Sequence, residues 1–330
     1  MTTIKVSGLV KDYTVRKKET EQPKLFRWIR PATQQFRALQ AIDFELEAGE
    51  FLGYIGPNGS GKSTTIKLLT GVLTPTEGTA QVLGFTPWKR ETRFTRNIGV
   101  IFGNKSLLFW DLPVLDSLKL YKDIYNLDEK EFQDRLEEFD KIFQLSRLIN
   151  RPVRKLSLGE RMRSEIAAAL IHNPPVLFLD EPTIGLDSLA KQEITTFLKK
   201  YQQREKTTVI LTTHTISDIE ALCERVIVLH LGKIIYDGSI NNLKGKFEDR
   251  RIILTLKEKN GEDILKEFGD TAKKLSDYQF EIKTTKNYVK KILGQLIGLI
   301  EINDIKITEP DLETIIKEIY RGNTNDFSGN

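Results

Sequence analysis

Nine residues, GPNGSGKST at 56–64, carry the most specific chemistry in this chain. They read Gly56, Pro57, Asn58, Gly59, Ser60, Gly61, Lys62, Ser63 and Thr64, and they fit the spacing G-x-x-x-x-G-K-[ST]. Glycines at these steps let backbone N–H groups turn inward around a phosphate. Lys62 adds a point charge toward the β- and γ-oxygens, and the Ser63 hydroxyl stands where it can ligate Mg2+. Farther on, VLFLDE ends in Asp180 and Glu181. Asp180 puts a carboxylate beside such a metal, and Glu181 follows where it can polarise an attacking water. A third stretch, RKLSLGERMRSEIAAAL at 154–170, opens a helix with Ser157 as N-cap and Gly159 in the first turn. A helix N-terminus favours anions through its free N–H groups and its dipole. The chain therefore carries a second anion site beside a phosphate loop that already holds one.

The flanking pattern supplies the elements that must position these groups. FLGYIG (51–56) is a short apolar strand running into the loop, and a helical pattern follows over about 62–71. This strand–loop–helix context excludes a chance glycine turn. Alternation at 4–10 and 40–47, and the apolar runs at 98–102, 175–182 and 207–214, read as further strands. Residues 225–238 read as a hairpin turning near Gly232. Continuous Val/Ile/Leu strands alternating with helices imply a parallel sheet buried on both faces. Residues 115–147 read as mostly helical. After Gly238 the texture changes to a small α+β domain over roughly 240–322. Its strands are RIILTLKE and YQFEIKT, and its two amphipathic helices include one opened by a capping box at Thr308 and Asp311. Residues 323–330 read as a frayed tail.

The bulk numbers narrow the class. The chain has 330 residues, 39% hydrophobic and 29% charged, a length that suggests two domains. A net charge of +4 is too small to argue for nucleic acid as a partner. The single cysteine, Cys223, excludes a disulfide framework and fits a reducing cytosol. The N-terminus lacks the pattern of a signal peptide, and no apolar run is long enough to span a bilayer. Work at a membrane would need another chain to do the spanning.

The order GPNGSGKST, LSLGE, VLFLDEPTIGLD, ILTTH resembles the nucleotide-binding subunit of an ABC transporter over about residues 4–238. The tail ending ITEPDLETIIKEIY looks like the small C-terminal domain of bacterial ABC export ATPases. The resemblance implies a P-loop NTPase of the ABC cassette type: a mostly parallel sheet, an antiparallel β subdomain and a helical subdomain at about 105–170. It implies ATP and Mg2+ as cofactors, ATP hydrolysis as the activity, and export through separate integral membrane permease subunits. It places the chain peripherally on the cytoplasmic face of the membrane. Two copies, or one copy and a paralogous ATPase subunit, would pack head to tail with each ATP between them. The second anion site is then for the partner's nucleotide: Ser157, Gly159, Glu160 and Asp187 would act across that contact. Tyr13 resembles the aromatic that stacks on adenine. His214 resembles the switch histidine that contacts the γ-phosphate and holds Glu181. His172 and His230 match nothing in the pattern and read as structural.

Two positions depart from the family pattern. A Gln usually follows the strand at 98–102; here the best placement gives Asn104, one methylene shorter, as the Mg2+ contact. LSLGE replaces LSGGQ, so Glu160 brings negative charge toward the nucleotide, tolerated if it faces the ribose or Arg163. The insertion at 15–37 carries seven basic residues, Arg16 and Arg37 among them, against two acidic, interleaved with Leu25, Phe26, Trp28 and Ile29. It suits an anionic membrane leaflet, a permease tail or plain solvent. LLFWDLP (107–113) lines a groove for permease helices or contributes Phe109 and Trp110 to the core. The competing reading from another class is an ABC-type ATPase acting on ribosomes or DNA. Such chains resemble fused double cassettes or carry long coiled coils, and neither occurs here. A plain phosphate-loop kinase leaves LSLGE unexplained.

Overall fold

The alternation read near the N-terminus belongs to two long strands, β1 (Thr2–Arg16) and β2 (Thr33–Glu47). In this computed structural model the described residues are 2–16, 33–103, 105–245, 249–259 and 261–321. Most of the basic insertion, with Phe26 and Trp28, lies outside them, as do Asn104 and the tail at 323–330. The chain divides into two units, one ending at Asp237 and the other beginning at Gly238.

In the first unit, β3 (Phe51–Ile55), α1 (Lys62–Leu69) and β4 (Glu77–Val82) follow the opening strands. A short α2 (Thr92–Thr95) leads to β5 (Ile98–Phe102). Then come α3 (Val114–Tyr125), α4 (Glu129–Phe143) and α5 (Leu158–Leu170). β6 (Val176–Asp180), α6 (Ser188–Glu205), β7 (Thr208–Thr213), α7 (Ile216–Leu222), β8 (Arg225–His230) and β9 (Lys233–Ser239) complete the set. β1 pairs antiparallel with β2 and β4 in a three-stranded sheet. The larger sheet has the order β5-β6-β7-β3-β8-β9, parallel from β5 through β8. Every residue of β3, β6 and β7 is buried, because helices and strands cover both faces. Leu231 and Gly232 both have positive φ, as a two-residue hairpin between β8 and β9 requires.

This strand order brings the site together. β6, β7 and β3 are consecutive neighbours and parallel, so their carboxyl ends open on one edge of the sheet. Ligands of open α/β sheets bind at that edge. The chain order of the three strands is β3, β6, β7, so residues more than a hundred positions apart become adjacent.

The helical segment is held by aromatic packing. Phe132, Phe139 and Phe143 fall on one face of α4, and Phe143 meets Phe197 of α6 edge-on at 4.6 Å between ring centroids. In the loop before α3, Leu108 is buried, whereas Phe109 and Trp110 are about half exposed. Of the two readings for these aromatics, the structure excludes the core.

The second unit contains α8 (Ile240–Gly245), β10 (Asp249–Leu256), α9 (Glu262–Phe268), β11 (Ala272–Lys274), β12 (Gln279–Thr285), α10 (Val289–Leu299), β13 (Ile302–Thr308) and α11 (Leu312–Tyr320). Its antiparallel sheet runs β11-β12-β10-β13 around Ile252, Leu254, Phe280, Ile282 and Leu296. β13, α9 and the short elements were not expected from sequence. The capping-box expectation needs correction. Asp311 alone caps α11, its carboxylate accepting from the Thr314 N–H at 2.7 Å. Thr308 ends β13, and its hydroxyl faces the Arg251 carbonyl at 3.4 Å. Thr308 pairs with Arg251 at the end of β13, three residues before the Asp311 cap, so the Thr belongs to the ladder.

Candidate functional site

β3 delivers the chain into the loop at 56–61, and α1 begins at Lys62. The N-cap is Gly61, with φ +113° and no side-chain cap, so the first-turn N–H groups of α1 face the loop without a capping side chain. No acidic residue competes in that turn. A Cβ on Gly61 would lie 2.7 Å from Leu39 Cδ2 and 2.8 Å from the Ala38 carbonyl, so both backbone angle and crowding demand glycine. This is the geometry of an anion cradle. Lys62 is 5% exposed, and its ammonium donates to the Gly56 carbonyl at 2.7 Å and the Pro57 carbonyl at 3.3 Å. Burial lowers its pKa, opposed by Glu181 and Asp180. It thus sits across the loop mouth as a charge already stripped of much of its water.

The carboxyl ends of β6 and β7 face this loop. Asp180 is buried and accepts from the Ser63 hydroxyl at 3.1 Å and the Thr212 hydroxyl at 2.5 Å. Thr212 lies directly opposite Asp180 in the β6–β7 register. Glu181 takes a left-handed backbone, φ +53°, which costs a non-glycine residue about 1–3 kcal/mol. Its N–H donates to the Thr212 carbonyl at 3.0 Å, anchoring the turn. That turn aims the Glu181 carboxylate back at the loop: one oxygen lies 3.9 Å from Lys62 Nζ and the other 3.0 Å from His214 Nδ1. His214 follows the end of β7 and is half exposed.

Tyr13 and Phe36 face each other in the β1–β2 register. The Tyr13 hydroxyl lies 3.4 Å from Thr64 Oγ1, and Phe36 is 53% exposed. With Asn58, Lys62, Thr64 and Glu181 they line a cavity of about 230 Å³. Phe36 was missed from sequence. A lone aromatic in the polar run TQQFR was its only signal, and pairing with Tyr13 depends on a register that the sequence does not display.

Ser157, Gly159, Glu160 and Asp187 do not line this cavity. They form a second group. Ser157 caps α5, accepting from the Glu160 N–H at 3.2 Å, while the Glu160 carboxylate accepts from the Ser157 N–H at 2.8 Å. Glu160 also pairs with Arg151 at 2.8 Å, and Arg163 pairs with Glu193 instead. The expectation that Glu160 faces Arg163 is therefore corrected: its carboxylate turns back to the cap and to Arg151. Asp187 caps α6 through the Ala190 N–H. Leu158, Ile184 and Leu189 are exposed around these two helix starts. His172 stacks flat on Tyr125 at 3.6 Å between ring centroids, and burial lowers its pKa to about 4.

The donor set at Ser63 and Asp180 consists of hard oxygens beside a phosphate cradle. Among the described residues no cluster of three His, Cys, Asp or Glu could cage an ion. The hard oxygens of Ser63 and Asp180 fit Mg2+, which keeps waters and takes substrate phosphate oxygens.

The family described as "ABC transporter" matches residues 39–184. Over 207 residues the chain is 33% identical to the ABC transporter ATP-binding protein NatA of Bacillus subtilis, covering 63% of this chain and 84% of that one. It is 36% identical over 207 residues to the methionine import ATP-binding protein MetN 2 of Enterococcus faecalis, covering 62% of this chain and 60% of that one. Among solved structures, the ADP- and phosphate-bound post-hydrolysis dimer of the ATP-binding cassette MJ0796 superposes with a TM-score of 0.60 at 28% identity, over 72% of this chain and 98% of that one. No helix among the described residues is long and apolar enough to cross a membrane.

Proposed function

Because this chain belongs to the ABC transporter family of ATP-binding proteins and is an ATPase of the cassette type, we propose that it drives export through separate permease subunits at the cytoplasmic face of the membrane. Two copies, or one copy and a paralogous ATPase subunit, close head to tail around two ATP. Residues 1–238 form the ATPase domain, with a helical subdomain at about 105–170, and 239–322 form a separate C-terminal domain. The exporter reading rests on that small α+β C-terminal unit.

Within one copy, the loop at 56–64 holds the phosphates, and Tyr13 with Phe36 stacks on the base. Ser63, Asp180 and Asn104 would hold Mg2+, which when bound neutralises charge on the phosphate oxygens. Glu181 takes a proton from the water that attacks the γ-phosphorus, and His214 orients that carboxylate and faces the γ-phosphate. Ser157, Gly159, Glu160 and Asp187 of the other copy complete the site, with the Ser157 helix pointing its N-terminus at the γ-phosphate. A nucleotide without that phosphate cannot bridge the copies, so hydrolysis reopens them.

The observation that carries this reading is the 3.0 Å contact of His214 with a Glu181 carboxylate that also faces Lys62 across the loop mouth. Glu181→Gln keeps the shape and removes the base. ATP hydrolysis should fall by about 10²–10⁴-fold while ATP still binds and the protein accumulates as an ATP-dependent dimer in size-exclusion chromatography. Normal turnover by this variant would remove Glu181 from its role.

A further inference from the structure

A buried carboxylate that the proposed chemistry does not use joins α7 to the loop after β6 and to the first turn of α6. Asp218, in α7, is 1% exposed. Its Oδ2 accepts from the Thr183 hydroxyl at 2.6 Å, and its Oδ1 lies 2.8 Å from the Lys191 ammonium. Lys191 also donates to Ser217 Oγ at 3.2 Å. The places of these residues along the chain matter. Thr183 is two residues beyond Glu181. Lys191 is one helical turn beyond Asp187, and its N–H donates to the Asp187 carbonyl at 3.0 Å. Asp218 itself is four residues beyond His214.

We infer that Asp218 is a positioning residue of the ATPase site, one side chain that fixes the spacing of the segments bearing Glu181, Asp187 and His214. The inference rests on reading Glu181 and His214 as the hydrolytic pair. The Glu181–His214 contact joins a partly exposed carboxylate to a half-exposed imidazole, and water competes for both. The Thr183–Asp218 bond is withdrawn from water, where a charge-assisted hydrogen bond is stronger and its geometry stiffer. The buried contact therefore sets where the exposed one can form. Lys191 supplies the counter-charge that a carboxylate at this depth needs, and it draws the start of α6 into the same clamp.

The test compares Asp218→Asn, Thr183→Val and Thr183→Ser in the full chain. Thr183→Val removes the donor while leaving the carboxylate and its Lys191 partner in place, so the test survives if Asp218→Asn fails to fold. ATPase assays should show kcat lowered about tenfold in the first two variants with KM for ATP within about twofold, because binding groups are untouched. Thr183→Ser, which keeps the hydroxyl, should restore most of the rate. A second readout needs no turnover. The chain has only three histidines, so the His214 ring resonances can be followed by NMR, with Glu181→Gln as the reference for a broken contact. In Asp218→Asn and Thr183→Val they should move toward the Glu181→Gln positions, while those of His172 and His230 stay put. Unmoved His214 resonances in a folded variant, or a loss of kcat equally large in Thr183→Ser, would overturn the positioning role. A wild-type chain without ATPase activity would instead sink the hydrolytic reading, and the NMR comparison would still decide the clamp.

Discussion

Single side chains in this molecule are set by what burial leaves them to bond with. Lys62 lies against backbone carbonyls, and Asp180 takes hydroxyl donors from both Ser63 and Thr212. Glu160 shows how a residue read as a threat to the nucleotide is absorbed locally. It closes a capping box on Ser157 and pairs with Arg151, and the Ser157 N–H is the chief cause that holds its carboxyl below the usual range. His172 is the opposite case, a titratable ring kept neutral by burial against Tyr125. Its pKa falls from 6.5 to about 4, so between those values the unfolded chain binds the proton that the folded chain refuses. Stability at His172 is therefore intact above about pH 6.5 and is lost as the pH falls toward 4, by up to about 3 kcal/mol. Thermal melts of wild type and His172→Gln across that range should converge as the pH drops. Parallel melting curves would refute the buried neutral imidazole.

At the scale of elements, the start of a helix does two jobs that one substitution can separate. The Ser157 cap satisfies N–H groups of α5 within its own chain, and the proposed role needs the same end for a second chain's nucleotide. Ser157→Ala should cost about 1 kcal/mol of stability, read as a modest fall in melting temperature. Ser157→Arg places bulk and charge at the helix mouth. It should leave ATP binding at the cradle intact, measured by equilibrium titration, while abolishing hydrolysis. Undiminished turnover by Ser157→Arg would remove the helix from the active centre. The strands are simpler. β3, β6 and β7 are apolar throughout because each is covered on both faces, and that continuity made them readable from sequence alone. β13 escaped notice because EINDIKIT places two polar residues together and breaks the alternation.

At the scale of the whole molecule, each of the two units has a hydrophobic cluster among the described residues. One gathers Tyr54, Phe94 and Phe178 around the parallel sheet, and the other gathers Phe280 and Ile282 around the antiparallel one. Separate cores predict separable unfolding. All three tryptophans precede Asp237, so tryptophan fluorescence reports on the first unit while circular dichroism reports on both. Phe280→Ala should cost the second unit about 3–5 kcal/mol. It should lower one transition by circular dichroism and leave the fluorescence melt unchanged; a joint shift of both signals would show one cooperative core. By itself the sequence determined what short-range backbone chemistry dictates: the glycine-rich loop, the paired carboxylates at a strand end, the Ser157 cap and the buried parallel strands. Each follows from residues within a few positions of one another, whose geometry the chain fixes locally. Only the tertiary structure decided that Phe36 faces Tyr13, that Glu160 turns to Arg151, that Trp110 lies on the surface and that Asp218 joins Thr183 to Lys191. Those partners are set by strand register and helix packing across long stretches of chain, and no local spacing encodes which side chains such packing will bring within bonding distance.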